Sequence, residues 1–177
     1  MMAFVYRVMG SAVLSTATYE EIEGNKNATG QAFVVVLLAS LATAVGLGGL
    51  EAGHRGTFAF VSILALLTWA IWSIVIFHVG GRLFPEPQTK VDVGELLRTL
   101  GFAATPGMFQ IFGVVPGLRM PLLVLTSVWM LAAMVVAVRQ ALDYTTIARA
   151  LAVCAIGWFL AIATALLIGV VYGPTLS

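Results

Sequence analysis

One apolar stretch constrains the fold of this chain more than any other. Residues 96–116 read LLRTLGFAATPGMFQIFGVVP, apolar enough to enter a bilayer yet carrying three glycines and two prolines. Pro106 has no N–H, and its ring clashes with the carbonyl four residues back. A helix there must kink or break around Gly101, Pro106 and Gly107. The carbonyl freed near Phe102 then needs a partner within the protein, because lipid offers none. The remaining apolar stretches are expected to wall this break off from lipid.

Those stretches set the class. Sixty per cent of the 177 residues are hydrophobic and ten per cent charged, with a mean hydropathy of +1.03. Soluble chains carry roughly a quarter charged residues. Apolar runs of this length predict an all-α, polytopic membrane bundle. A net charge of +1 leaves no basic patch, so nucleic acid is not an expected partner. The single cysteine, Cys154, excludes a disulfide framework and a cysteine metal cluster.

Taken in order, residues 1–14 are apolar around Arg7 and too short to span, which takes about 20 residues. They predict a short helix lying in the interface. Residues 19–26 are acidic and predict a solvated turn. Residues 1–30 thus form an interfacial helix and cytoplasmic segment, and residues 31–177 one five-span membrane domain. The spans are expected at 31–49, 57–80, the broken third segment, 121–141 and 147–172. Pro85 and Pro87 make the linker 83–95 extended.

Gly157, Ala161, Ala165 and Gly169 recur every fourth residue on the fifth span, as Ala133, Ala137 and Ala141 do on the fourth. Such stripes let backbones approach closely, so the two helices are expected to pack antiparallel. Orientation follows from the nine Lys and Arg residues. With the N-terminus inside, Arg7, Lys26, Arg82, Lys90, Arg98, Arg139 and Arg149 fall on the inner side, and Arg55 and Arg119 on the outer. Five spans then carry the C-terminus outside.

Chemistry has few carriers. Arg139 and Asp143 are four apart at the inner end of span four, with Gln140 and Tyr144 a step round. The expectation is an Arg139–Asp143 ion pair, since a charge near lipid favours pairing. With His78 and Arg98 at similar depth, this polar cluster is expected to cap an inner cavity beside Pro106. The simpler alternative is a boundary anchor with a local ion pair. A metal or haem at His78 would need a second ligand near it, and His54, the only other histidine, is expected on the opposite side. No nucleophile–base pairing, phosphate loop or dinucleotide fingerprint is present, so neither catalysis nor a cofactor is expected. Two functions remain: a scaffold or accessory subunit for other membrane proteins, self-association included, and a small transporter or channel built on the broken span.

Several stretches carry a family resemblance. Gly101-Phe102-Ala103-Ala104-Thr105-Pro106 is similar to a Gly-Tyr-x-x-x-Pro stretch, with Phe102 in place of tyrosine. Residues 138–145 followed by Arg149-Ala150 are similar to a turn between fourth and fifth spans, and Tyr19-Glu20-Glu21 and residues 28–32 to the approach to span one. Together they resemble the Yip family, the Ypt/Rab-interacting membrane proteins, in its bacterial branch. The eukaryotic Asp-Leu-x-Gly-Pro stretch is missing. The resemblance implies five spans with the N-terminus inside, in the cytoplasmic (inner) membrane. In eukaryotic members it implies a role beside small GTPases in vesicle traffic.

Overall fold

A computed structural model describes residues 2–47 and 55–172. Its elements are α1 (Met2–Ala12), α2 (Thr16–Gly24), α3 (Ala28–Gly46), α4 (Arg55–Ile76), α5 (Val93–Phe102), α6 (Arg119–Ala141) and α7 (Ile147–Tyr172). A π-helical stretch, Phe77–Leu83, continues α4, and a 3₁₀ helix, Thr105–Val114, follows α5. Among the described residues, three helical stretches are long and apolar enough to cross a membrane: Ala28–Gly46, Phe58–Leu83 and Arg119–Ala141. His54 and Glu51 lie outside the described residues, as do the side-chain surroundings of Ala161, Ala165 and Gly169.

The segment formed by α5 and the 3₁₀ helix lies between α3 and α6. Its α-helical bonding stops where Pro106 denies the carbonyl of Phe102 its amide partner. The Thr105 hydroxyl donates to that carbonyl at 2.7 Å and lies 3.0 Å from the Ser11 hydroxyl of α1. Flush packing on α3 then fixes the segment. A Cβ on Gly101 would lie 2.7 Å from Ala32 Cβ, and one on Gly107 3.2 Å from Ala39 Cβ. At the far end Gly113 meets Gly46 backbone to backbone. Ala32, Ala39 and Gly46 are seven residues apart, two turns of helix, so they form one stripe of small residues. The closest small-residue seam described is therefore between α3 and the broken segment. Ala133, Ala137 and Ala141 of α6 are fully buried. Gly157 of α7, however, faces the Trp72 ring of α4, 2.9 Å from where its Cβ would be.

One local expectation changes. Residues 19–26 are not a solvated turn, since α2 covers most of them. Ser15 caps that helix by accepting from the Thr18 amide at 3.3 Å. Thr18, Tyr19 and Ile22 share one face and are wholly buried, and the acidic side chains occupy the rest of the helix. In α1 the polar face turns inward. Arg7, 5% exposed, donates to Glu21 at 2.6 and 2.8 Å and to Gln31 at 2.6 Å, while Met2, Val5, Tyr6, Met9 and Val13 stay exposed.

Candidate functional site

The densest polar constellation joins the linker after the π-helix to the turn between α6 and α7. It begins with a backbone defect. In a π-helix the Gly80 carbonyl would accept from residue 85, which is a proline without an N–H. The Phe84 amide is taken by Val79 O at 3.0 Å. Tyr144 resolves the orphan: its hydroxyl lies 3.0 Å from Gly80 O and 2.9 Å from Phe84 O. Gly80 is required there, because a Cβ would run into Leu142 and approach the Tyr144 hydroxyl to 3.2 Å.

Glu86 closes the same junction from the linker side. Its carboxylate is buried and accepts from the Thr145 amide at 3.1 Å and the Thr145 hydroxyl at 3.2 Å. It also accepts from Gln88 Nε2, and Arg149 Nη1 lies at 3.4 Å. Gln88 donates onward to Asp143 O at 2.9 Å, and the Thr89 hydroxyl to Leu142 O at 2.7 Å. Burial pushes the Glu86 carboxyl up, but the Thr145 and Gln88 bonds and the Arg149 charge together hold it below the ordinary carboxylate range. Arg149 also stacks over the Tyr144 ring at 5.5 Å and donates to Pro85 O at 3.1 Å.

The expected cluster is brought together only in part. Tyr144 is at its centre. Arg139 reaches the same turn but donates to Tyr144 O at 3.2 Å and Thr145 O at 3.4 Å, not to Asp143. The reason is local: α6 ends at Ala141, and Asp143 adopts a positive φ of 52° in the turn. The spacing of four therefore no longer puts the two side chains on one helix face. The Gln140 side chain makes no hydrogen bond among the described residues. His78 is exposed and binds Ile74 O of its own helix through Nδ1 at 2.9 Å.

Arg98 belongs to a separate group. It is buried and donates twice to the Glu23 carbonyl, at 2.5 and 3.0 Å, tying α5 to the end of α2. Burial, together with Asp143, Glu95 and Glu20, raises the Glu23 carboxyl to about 7, against a weaker opposing pull from Arg98. An acid whose folded value lies above its unfolded 4.5 loses stability as pH rises between the two. Glu23→Gln is therefore expected to leave thermal stability in detergent unchanged at pH 5. At pH 8 it should raise stability by on the order of 1 kcal/mol after solvent screening. An equal effect at both pH values would show that the carboxyl ionises normally.

Glu86 was the residue missed in the sequence. It sits between two prolines in a polar linker, and its main partner is 59 positions away. The only local signal was an acid enclosed by Pro85 and Pro87, which hold it in an extended backbone.

The molecule so described is a helical, multi-pass membrane protein whose polar groups cluster at the ends of its apolar helices. Residues 11–168 match the Yip1 domain model. The chain belongs to the Yip1 domain family, and the match does not single out a bacterial branch. That family is not a known enzyme family. No curated protein and no solved structure matches the chain.

Proposed function

We propose that this protein performs no chemistry of its own and serves as a scaffold, accessory subunit or trafficking partner for other membrane proteins. One observation carries the proposal. The buried charges among the described residues, Arg7, Glu86 and Arg98, are each consumed by contacts within the chain. Each staples two elements together. The outward surface is apolar: Phe60, Ile63, Leu67, Ile71 and Ile74 form an exposed stripe on α4.

The embedding that fits this role has five crossings, with the N-terminus cytoplasmic. Ten residues of α5 reach roughly 15 Å, and ten of the 3₁₀ helix roughly 20 Å. In line, the pair spans a hydrocarbon core of about 30 Å. α7, at 26 residues, is long enough by itself. α1 then lies in the interface with Met2, Met9 and Val13 toward lipid and Arg7 locked inward.

Gentle solubilisation followed by mass spectrometry is expected to recover a second membrane protein at fixed stoichiometry. Ion or solute flux through liposomes containing this chain alone would overturn the proposal in favour of a transporter or channel built on the 3₁₀ segment.

A further inference from the structure

The turn between α1 and α2 lies against the middle of the broken segment and of α6. The Ser11 hydroxyl is 3.0 Å from that of Thr105, and both side chains are short. Thr105 opens the 3₁₀ helix, and α5 brings the chain to it over ten residues, roughly 15 Å. That is half of a hydrocarbon core of about 30 Å. Two spans give the same level. A Cβ on Gly107 would lie 3.2 Å from Ala39 Cβ and 3.1 Å from Met130 Sδ, and those residues sit near the middle of α3 and of α6. Ser11, the last residue but one of α1, is thus level with the bilayer mid-plane.

The end of α1 is completed by protein donors, as a helix end in lipid must be. Its last four carbonyls are all taken. Met9 O accepts from the Val13 amide at 3.1 Å and Ser11 O from the Leu14 amide at 3.1 Å. Gly10 O accepts from the Ser15 amide at 2.9 Å, in a turn that Leu14 makes with a φ of 61°. Ala12 O accepts from the Trp129 indole of α6, 117 positions away, at 2.7 Å. The side chains agree. Arg7 and Ser11 are buried, and the exposed residues from 2 to 13 are Met2, Ala3, Val5, Tyr6, Met9 and Val13. A helix lying flat on a bilayer turns its polar face to water along its length, and α1 turns its polar face inward. On α2 the glutamates, Glu20, Glu21 and Glu23, run from the middle of the helix to the end away from the turn.

We propose that α1 and α2 form a re-entrant hairpin, inserted into one leaflet with its turn at the mid-plane, and that the exposed face of α1 binds the acyl chains of that leaflet. The interfacial placement of α1 therefore holds only at its Met2 end. With the N-terminus cytoplasmic, the leaflet is the inner one, which then holds two helices that the outer one lacks. The side rests on the proposed orientation. The depth rests on neither the number of crossings nor the scaffold role, so each of these can fail without it.

The test is spin-label depth in liposomes. On a Cys154→Ala background a nitroxide is attached at Met2→Cys, at Val13→Cys and, as the mid-span reference, at Val128→Cys; Val13 is 74% and Val128 61% exposed. Collisions with oxygen, which concentrates in lipid, and with a water-soluble nickel chelate are read at each. The oxygen-to-nickel ratio at Val13 is expected to match that at Val128 and to exceed that at Met2 several-fold. A Val13 label open to nickel would overturn the inference by returning the turn to the surface. A label shielded from both reagents would overturn it by assigning the face to a partner helix or a second copy. Val13→Asp, made without any label, gives a second reading: it should lower thermal stability in lipid nanodiscs where Val13→Leu does not, because a charge at that depth is costly. An aspartate as silent as the leucine would overturn the inference too.

Discussion

Gly46→Ala is expected to destabilise the protein by about 3 kcal/mol, the upper end of ordinary overpacking. The added methyl would fall inside the carbonyl oxygen of Gln110, and Gly113 Cα lies 3.6 Å from the same point. Both obstacles are backbone, so no rotamer change relieves them. Separating α3 from the 3₁₀ helix is the remaining escape, and it opens the seam on which the broken segment rests. Gly30→Ala in the same helix is the control. Nothing lies within 4 Å of a Cβ there, so the substitution should be neutral or stabilise by up to about 1 kcal/mol through helix propensity. Thermal unfolding in detergent checks both. Similar effects at the two positions would mean that the seam contributes no special tightness.

Tyr144→Phe is expected to cost about 2 kcal/mol, because it strips a buried hydroxyl from two carbonyls and inserts nothing in its place. Gly80 O is the more costly orphan, since Pro85 has no amide to offer it. The ring remains, so its stacking with Arg149 is largely kept and the loss reports the hydrogen bonds. Tyr6→Phe, at a tyrosine 60% exposed on α1, should change thermal stability by no more than a few tenths of a kcal/mol. A silent Tyr144→Phe would show that water satisfies the π-helix end equally well.

These two positions show where the sequence was informative. The membrane class was legible because the long apolar runs are continuous, and the family was legible in the stretch from Gly101 to Pro106 and in the turn around Tyr144. Pro106 carries its own physical consequence, a carbonyl left without an amide. What Pro106 could not disclose was its repair, because Thr105 and Ser11 are 94 positions apart. The stripe of Ala32, Ala39 and Gly46 was written at a helical period. Its partner glycines at 101, 107 and 113 lie in a 3₁₀-containing segment with a different period. Matching the two requires knowing that the elements touch. Short polar segments were read least well. A helix like α2 is specified by Ser15 and by Tyr19 and Ile22 three apart, a faint signal among the three glutamates of the same region. The Arg139–Asp143 pairing assumed a helix that stops two residues too early. Glu86, whose main partner Thr145 lies in another turn, gave only its flanking prolines as a local cue.

The central claim is that the broken segment is a full crossing, making five in all. It is tested most directly by reporter fusions placed after Ser177 and, separately, in the turn at Thr146. The account predicts a cytoplasmic signal at Thr146 and an outside signal at Ser177. A cytoplasmic signal at Ser177 together with an outside signal at Thr146 would mean that residues 93–114 dip into the membrane and return, and would contradict it.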